Sequence, residues 1–463
     1  MMGPMIELNA YARERLKELQ SSRAHPAVTG HFQRMLAEGD DLQVFKINAF
    51  RVAQEVPVPR PEALRGFLFA TKLGLFDLSY DVHCPSCRGI PEYHGSLEKL
   101  SATSRCCGCD VGFEVDFESH VEVTFTVNPA VRPVTYADFA RRDLPAQMKL
   151  QQSLRSCACR SFPVPELPVT ERASTVNGAV TPGDYLVYLT AGEGAMARGC
   201  KLTVSGAPAE TTQRLELTFD EKAAATPARA ELRPGQIALQ VAGRQPRPAV
   251  LIFRPLREET NWVSAAHVTS QQDFRDLFSG EFLGPGVNFA VRSVTLMFTD
   301  LKGSTELYEA LGDAKAYSLV QEHFQILTSA IRRHEGGIVK TIGDAVMASF
   351  PDNLSAVKAA VEIQRALATA GGEVRKLQVK IGLHQGPTIA VTSNRALDFF
   401  GRTVNVAARV QNESRAGEVV LSNGVMADPR VPAFLAEQRL PPAGRQVHLK
   451  GISGTMDISC LRP

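Results

Sequence analysis

The stretch Val294-Thr295-Leu296-Met297-Phe298-Thr299-Asp300 is a run of β-branched, aliphatic and aromatic residues that ends in a carboxylate. Such a run predicts a buried β-strand with an aspartate at its end. The residues that follow, Leu301-Lys302-Gly303-Ser304-Thr305, predict a tight turn that opens a helix. The backbone N–H groups of such a turn and helix N-terminus can bind a polyphosphate.

A second aspartate, Asp344, follows in the segment Lys340-Thr-Ile-Gly-Asp344. Gly-Asp between the apolar runs 338–339 and 345–350 predicts the tip of a β-hairpin. Two carboxylates on adjacent strand ends beside a helix N-terminus can hold two divalent metal ions against a polyphosphate. Either aspartate alone would be typical of a residue that caps a turn or a helix.

Three polar residues further along the chain complete the pattern. Asn405 and Arg409 are four residues apart in a predicted helix, 402–411, so they share one helix face. Asp398 precedes Asn405 by seven residues and ends a short segment, 396–398, before Gly401.

Together these segments resemble the catalytic domain of the class III nucleotidyl cyclases. The matching stretches, in sequence order, are 298–305 (FTDLKGST), 339–348 (VKTIGDAVMA), 382–387 (GLHQGP) and 397–409 (LDFFGRTVNVAAR). The resemblance extends from about Arg292 to the C-terminus, and the spacing holds at every functional position. It implies an α+β, ferredoxin-like fold with helices on one face of an antiparallel sheet.

The resemblance implies a two-metal site. Asp300 and Asp344 would hold two Mg²⁺ or Mn²⁺ ions, and the Leu301 carbonyl would be a backbone ligand. The expected reaction is attack of a nucleotide's ribose 3′-oxygen on its own α-phosphorus, with loss of pyrophosphate.

The resemblance also implies residues that bind the nucleotide. Arg409 corresponds to the family arginine at the α-phosphate, where a fixed charge and forked donors suit a phosphoryl group. Asn405 corresponds to the residue that positions the ribose. Further phosphate contacts are expected from Gly303, Ser304, Thr305 and Lys450.

Base choice is predicted from Lys340 and Asp398. Adenine has an acceptor at N1 and a donor at N6, so a lysine donor and an aspartate acceptor complement it. Guanine has the opposite polarity, and the guanylate-specific relatives usually carry Glu and a small residue instead. The pair predicts ATP as substrate, and a surface salt bridge between the two is the alternative interpretation.

In this family the metal-binding aspartates come from one subunit, while the base-binding and arginine residues come from the other. The resemblance therefore implies a homodimer with two equivalent sites and an inactive monomer. This sequence has the residue type that the family uses at all six functional positions, which are Asp300, Lys340, Asp344, Asp398, Asn405 and Arg409. His384 is interpreted as a core or strand-end histidine and not as a catalyst.

Bulk composition excludes several classes of protein. The 463 residues suffice for two to four domains, and the 44% hydrophobic and 22% charged content is that of an ordinary soluble protein. A net charge of +2 gives no reason to expect an electrostatically driven nucleic-acid or membrane partner. No segment approaches 18 uninterrupted apolar residues and no signal peptide is apparent, which predicts a cytoplasmic protein without a membrane span.

The cysteines predict a zinc ribbon over residues 76–128. Cys84, Cys87, Cys106 and Cys109 form two CxxC pairs at a spacing typical of a tetrahedral Zn²⁺ site. Cys107, His83 and His94 are possible substitute ligands, and a thiol switch is the alternative function. Cys157 and Cys159 are interpreted as buried free thiols.

Other upstream segments are predicted by pattern alone. Residues 1–75 are expected to be helical, with helices at 8–20, 29–37, 41–56 and 61–72 and a resemblance to a winged helix. A structural role is favoured over DNA binding, because few basic residues are available. Residues 129–169 are expected to be a linker with a helical patch at 136–142, and 170–260 an antiparallel β-sandwich-like domain.

A coupling helix, Ser270–Phe282, is predicted within residues 261–290, because Phe274, Leu277, Phe278 and Phe282 share a helix face. It could transmit an upstream signal or simply pack two domains together. The catalytic domain is expected over 291–463.

The resulting prediction is a homodimeric adenylate cyclase regulated through its N-terminal half by an unknown ligand or protein. The alternatives are a guanylate or relaxed-specificity cyclase and a nucleotide-sensing or DNA-associated regulator with little turnover.

Overall fold

The computed structural model describes residues 7–85, 89–106, 111–134, 174–189, 198–243, 251–255, 262–452 and 454–463. The chain forms two compact units. The first unit consists of residues 1–95, 101–115 and 120–263, and the second of residues 96–100, 116–119 and 264–463. Among the described residues, no helix combines the length and apolar character that crossing a membrane requires.

The first unit begins with four helices. They are α1 (Ala10–Gln20), α2 (Pro26–Glu38), α3 (Ala49–Glu55) and α4 (Arg60–Lys72). The predicted helix over 41–56 is wrong in its first half, because Lys46 has a φ of 50° that no α-helix can include. Asn48 then caps α3 by accepting a hydrogen bond from the N–H of Arg51.

Two small sheets follow the helices in the first unit. Their strands are β1 (Phe76–Val82), β2 (Glu92–His94), β3 (Thr103–Arg105), β4 (Gly112–Glu114) and β5 (Val121–Val127). The strand β1 is central in a three-stranded sheet of order β2-β1-β5, and β3 and β4 form an antiparallel hairpin. The winged-helix resemblance stays a prediction.

The remainder of the first unit has two four-stranded sheets whose apolar side chains form one hydrophobic cluster. The strands are β6 (Ser174–Val180), β7 (Gly183–Leu189), β8 (Cys200–Val204), β9 (Gln213–Phe219), β10 (Ala225–Thr226), β11 (Arg229–Leu232), β12 (Gly235–Gly243) and β13 (Leu251–Pro255). The sheet orders are β10-β9-β12-β6 and β11-β8-β7-β13. The prediction of a purely antiparallel domain over 170–260 is wrong. The strands β12 and β9 pair in parallel, and so do β11 and β8. Alternating patterns cannot reveal this, because both strand directions have the same period. The predicted helical patch at 136–142 lies outside the described residues.

The second unit contains eight α-helices within its described residues. They are α5 (Ala265–Ser270), α6 (Gln272–Leu277), α7 (Ser304–Leu311), α8 (Asp313–Arg333), α9 (Asn353–Thr369), α10 (Arg402–Asn412), α11 (Asn423–Met426) and α12 (Arg430–Glu437). Short 3₁₀ turns lie at Leu97–Lys99 and Val374–Lys376.

One eight-stranded sheet forms the centre of the second unit. Its strands are β14 (Phe289–Leu301), β15 (Gly337–Ile342), β16 (Ala345–Phe350), β17 (Val379–Ser393), β18 (Ala396–Phe400), β19 (Val419–Ser422), β20 (Ala443–Val447) and β21 (Met456–Leu461). Their order is β15-β16-β14-β17-β19-β21-β20, and β18 pairs with β17. The central strand β14 is the one predicted from 294–300.

Helices cover both faces of this sheet. Val419 and Leu421 of β19 belong to the main core with α8, α9 and α12. Val420, which points the other way along the same strand, packs with Val406 and Val410 of α10. The prediction of helices on one face only is therefore wrong for α10, since a helix's apolar stripe does not show which sheet face it covers.

The predicted coupling helix Ser270–Phe282 is instead two short helices, α5 and α6. Gln271 has an extended backbone (φ −77°, ψ 134°) that separates them, and α6 ends before Phe278. Phe274 and Phe278 still stack, with ring centroids 5.3 Å apart. Phe282 lies outside both helices. The prediction failed because helical spacing in the sequence does not show where the backbone breaks.

Two upstream segments, 96–100 and 116–119, are part of the second unit. The ring of Phe117 stacks on that of Phe289 at the start of β14, with centroids 4.5 Å apart. Asp116 accepts a 2.9 Å hydrogen bond from the Arg292 side chain. The N–H of Leu97 donates to the Glu281 carboxylate at 2.7 Å. These contacts join sequence far upstream to the strand that carries Asp300.

Candidate active site

The two predicted metal-binding aspartates lie at neighbouring strand ends. Asp300 is near the end of β14, and Thr299 before it pairs with Val346 of β16. Asp344 lies in the two-residue turn between β15 and β16, where Gly343 has a φ of 64°. That left-handed conformation is readily adopted by glycine, so the Gly-Asp sequence forms the predicted hairpin tip.

The two aspartates influence each other electrostatically. Burial raises the pKa of Asp300, and the neighbouring Asp344 charge raises it further, while Lys380 opposes both effects. Lys380 Nζ lies 3.9 Å from Asp300 Oδ2. Asp344 Oδ2 is buried without a hydrogen-bond partner within the described chain. A buried carboxylate oxygen without a donor, beside a second carboxylate, fits a divalent cation.

The turn after β14 leads into a helix, as the sequence predicts. Gly303 has a φ of 70° and precedes α7, and the N–H of Leu307 donates to its carbonyl. Ser304 is the first residue of α7 and Thr305 lies in its first turn. The buried Leu301 is the last residue of β14 and pairs with Val379. The first N–H groups of α7 therefore begin directly after the strand that carries Asp300.

The two predicted base-reading residues are in contact. Lys340 Nζ on β15 donates a 2.7 Å hydrogen bond to Asp398 Oδ2 on β18. Asp398 Oδ1 accepts from the N–H of Phe399 at 2.8 Å. Asp398 is 9% exposed and the Lys340 side chain is 40% exposed, so the ion pair joins a buried carboxylate to an ammonium group that solvent reaches.

Asn405 and Arg409 lie together on the exposed side of α10. In the part of the chain that the structure describes, neither forms a hydrogen bond or ion pair with Asp300 or Asp344. Lys450 is exposed in the turn after β20. Its neighbour Leu449 packs with Val406 and Val410, which ties this turn to α10.

Two residues near the site were not predicted from the sequence. His323 of α8 is fully buried near Asp344, and neither ring nitrogen has a partner among the described residues. Burial lowers its pKa to about 4, with the Asp344 charge opposing, so the ring is neutral at physiological pH. Its only sequence signal is its position three residues after Val320 on the buried stripe of α8. The second residue is Arg275 of α6, whose Nη1 donates a 3.0 Å hydrogen bond to the Leu397 carbonyl.

The structure also tests the predictions made for Tyr317 of α8 and His384 of β17. The helical spacing of Tyr317, Val320 and Leu327 predicts that all three lie in the core stripe of α8. For Tyr317 this is wrong, because it is 60% exposed. His384 lies within β17, half-buried, with Nδ1 2.9 Å from the Ser422 hydroxyl oxygen. Burial lowers its pKa to about 4, aided by the Arg402 charge.

The predicted zinc site is only partly within the described residues. Cys84 and Cys106 are buried, and their N–H groups donate to Gly89 and Val111 carbonyls, each at 2.9 Å. Cys87, Cys107, Cys109, Cys157 and Cys159 lie outside the described residues. Across the ranges given above, no group of three His, Cys, Asp or Glu side chains is placed to hold a metal.

The possible substitute zinc ligands have carboxylate partners instead. His83 Nε2 is 3.1 Å from the buried Glu122. His94 Nε2 is 3.1 Å from Glu92. The zinc ribbon therefore stays a prediction that depends on the four cysteines.

Comparison with known proteins divides the chain in two. Residues 288–455 match the family described as "Adenylate and Guanylate cyclase catalytic domain". Residues 10–159 match a family of unknown function, DUF5939.

Two adenylate cyclases among the relatives each match less than a third of this chain. An adenylate cyclase of Lachancea kluyveri is 31% identical over 164 residues, which cover 30% of this chain and 9% of that protein. An adenylate cyclase of Anabaena cylindrica is 31% identical over 137 residues, or 26% of this chain and 27% of that protein. The match therefore spans much less than half the length of either relative.

A solved structure, the adenylyl cyclase CyaB from P. aeruginosa, is 22% identical with a TM-score of 0.33. It covers 38% of this chain and 95% of that one. The C-terminal part of this chain, residues 288–455, is a class III adenylate and guanylate cyclase catalytic domain.

Proposed function

We propose that this protein is an adenylate cyclase, which converts ATP into 3′,5′-cyclic AMP and pyrophosphate at sites shared between the subunits of a homodimer. The observation that carries the proposal is the contact of 2.7 Å between Lys340 and the buried Asp398. It presents one donor and one acceptor side by side, which is the pattern that adenine complements.

Asp300 and Asp344, with the Leu301 carbonyl, would hold two Mg²⁺ or Mn²⁺ ions. When bound, such ions lower the pKa of the ribose 3′-hydroxyl and neutralise charge on the triphosphate. This assignment is supported by the raised pKa of Asp300 and by Asp344 Oδ2, which is buried without a hydrogen-bond partner within the described chain.

Other residues of the chain bind the substrate. In the reaction, the 3′-oxygen forms a bond to the α-phosphorus, the bond from that phosphorus to the bridging oxygen breaks, and the hydroxyl proton leaves to solvent. Arg409 would stabilise the charge that grows on the α-phosphoryl oxygens, and Asn405 would orient the ribose. The N–H groups at Gly303, Ser304 and Thr305 and the Lys450 ammonium would bind the β- and γ-phosphates.

The homodimer is supported by the distribution of exposed groups. Asn405 and Arg409 point away from the core of their own subunit, on a helix that covers the sheet face opposite α8 and α9. Ile342 at the hairpin tip and Phe400 at the end of β18 are 56% and 68% exposed. Large apolar side chains exposed this close to a site are typical of an interface.

The test is cyclic nucleotide production by the full-length protein with ATP or GTP and Mn²⁺ or Mg²⁺, beside the Asp300→Ala variant. We expect cyclic AMP from the wild type and none from the variant. Comparable cyclic GMP would favour a relaxed-specificity cyclase. No product from either nucleotide with either metal would contradict the proposal and favour a nucleotide-binding regulator.

We also propose a structural zinc site at the upstream cysteines. Cys84, Cys87, Cys106 and Cys109 would hold a structural Zn²⁺ in a regulatory N-terminal half. It is supported by the spacing and by the hydrogen bonds that the N–H groups of the buried Cys84 and Cys106 donate to the Gly89 and Val111 carbonyls. Elemental analysis of protein purified without chelators should find about one zinc per chain. Zinc-free protein that is fully folded would contradict it.

A further inference from the structure

The helix α6 contacts both strands that carry the base-reading residues. The N–H of Ile338, two residues before Lys340 on β15, donates to Gln272 Oε1 at 2.7 Å. The N–H of Gln272 donates in turn to the Gly336 carbonyl at 2.9 Å. On the other strand, Arg275 Nη1 donates to the carbonyl of Leu397, the residue before Asp398, at 3.0 Å. One short helix therefore fixes the positions of both residues.

Arg275 is an unusual residue for this place. Its Nε and Nη2 atoms are buried and have no hydrogen-bond partner among the described residues. Its guanidinium carbon lies 6.0 Å from the centroid of the Phe399 ring. Burial lowers its pKa to about 10, and the Asp398 charge opposes that shift, so the side chain stays charged at physiological pH. Burying a charge is costly unless it is compensated, and Asp398 is the anion whose charge acts on it.

Asp398 thus interacts with two cationic side chains, Lys340 and Arg275, that have different roles. Lys340 contacts it directly in the structure. When Lys340 turns to donate to a base, Asp398 loses that partner while remaining buried. A buried carboxylate without a counter-charge is strongly destabilised. Arg275 is fixed by the Leu397 carbonyl, does not need to move, and can supply the remaining positive charge.

We infer that Arg275 is a positioning residue for nucleotide selection: it holds β18 and compensates the Asp398 charge when Lys340 engages the base, so α6 controls the choice of ATP over GTP. The inference rests on the proposed adenylate cyclase function. It makes the segment before the catalytic strand part of base recognition, since α6 belongs to the same compact unit as the site.

The test compares Arg275→Met with two other variants of the full-length chain. Arg275→Lys keeps the charge, so it should retain most of the selectivity. Arg332→Met is the matched control, because Arg332 anchors α6 through Asp273 at 3.2 Å and through Asp276. Its ion pairs within the described chain are with these two aspartates and not with Asp398. It loosens the same helix by removing the same kind of side chain.

We expect Arg275→Met to raise the KM for ATP and to lower the ratio of kcat/KM for ATP over GTP by about tenfold, with a smaller change in kcat. Arg332→Met should leave that ratio unchanged. Adding Arg275→Met to Asp398→Asn should have much less effect than it has alone, because the charge that Arg275 compensates is then absent. A purely structural role would give the same ratio in both arginine variants and additive effects in the double variant.

Binding of the non-cyclisable analogues 2′,3′-dideoxy-ATP and 2′,3′-dideoxy-GTP separates this inference from the proposed function. If the wild type binds the ATP analogue but makes no product, the proposed function fails, and the Kd ratio of the analogues then decides the role of Arg275. An unchanged Kd ratio in Arg275→Met, or no preference for the ATP analogue in the wild type, would overturn the inference. If Arg275→Met does not fold, the Kd ratios of the two analogues for Arg275→Gln and Arg275→Lys decide the role of Arg275 in the same way.

Discussion

At the scale of single residues, the charge on Asp300 is a cost that a metal ion should remove. Burial and Asp344 raise its pKa, so the folded chain holds this proton more tightly than the unfolded chain does. The group therefore favours folding when protonated, and that contribution is lost as pH rises through the folded-state pKa.

Asp300→Asn removes this charge at nearly constant shape. At about pH 7.5 in EDTA, we expect the variant to have a Tm about 1–3 °C above the wild type, a small effect because Asp300 is partly exposed. As pH falls toward the ordinary aspartate pKa of about 4, the difference should disappear. Mn²⁺ should raise the Tm of the wild type alone. Thermal unfolding across pH measures this, and a lower Tm for the variant at neutral pH would contradict the charge account.

Residue spacing predicts some parts of the site better than others. The pairing of Asp300 with Asp344 and the contact of Lys340 with Asp398 follow from short segments with a characteristic order. His323 and Arg275 could not be recognised, because each stands out through buried side-chain nitrogen atoms that have no hydrogen-bond partner among the described residues. Neither property is visible in a spacing pattern.

At the scale of elements, α10 depends on two close approaches to β17. A Cβ on Gly382 would lie 2.3 Å from the backbone N and Cα of Gln411, and one on Gly386 would lie 2.8 Å from the Thr403 hydroxyl. These glycines let the helix with Asn405 and Arg409 sit directly on the sheet.

Gly382→Ala should therefore displace α10. We expect a loss of about 1–3 kcal/mol in the free energy of unfolding and a fall in kcat, since Arg409 moves with the helix. Gly444→Ala in β20 is the matched control, because its Cβ meets nothing within 4 Å. Urea unfolding and steady-state kinetics measure both effects. Equal stability in the two variants would show that the helix does not need this contact.

Element type was easier to predict than element arrangement. The strand β14, the hairpin at Asp344 and the helix with Asn405 form where their periodicity indicates. The break at Gln271, the parallel strand pairs and the sheet face covered by α10 depend on backbone dihedrals and on long-range packing. A local hydrophobic pattern is compatible with either outcome in each case.

At the scale of the whole molecule, the second compact unit carries the candidate active site and is called the catalytic unit here. It includes residues that lie far upstream of that site in the sequence. Phe117 and Phe289 are both fully buried and stack on each other. The domain boundary expected near residue 291 did not anticipate this, because a four-residue segment such as 116–119 has no periodicity of its own.

Phe117→Ala should destabilise the catalytic unit by about 3 kcal/mol, since it empties a buried aromatic site at the start of β14. The control is Phe113→Ala, because Phe113 is partly exposed in the hairpin and contacts the His120 ring edge-on. We expect Phe117→Ala to lower both Tm and the temperature at which cyclase activity is lost. An unchanged inactivation temperature would mean that the segment 116–119 does not support the catalytic unit.

The central claim is an adenylate cyclase whose sites combine residues of two subunits, and complementation tests it most directly. Asp300→Ala and Arg409→Ala should each be inactive alone. After unfolding and refolding as an equimolar mixture, half of the dimers should be mixed, each with one intact site, so cyclic AMP production should recover to about one quarter of the wild type. Recovery to that level would establish the shared site, whereas a mixture as inactive as its components, beside active refolded wild type, would contradict it.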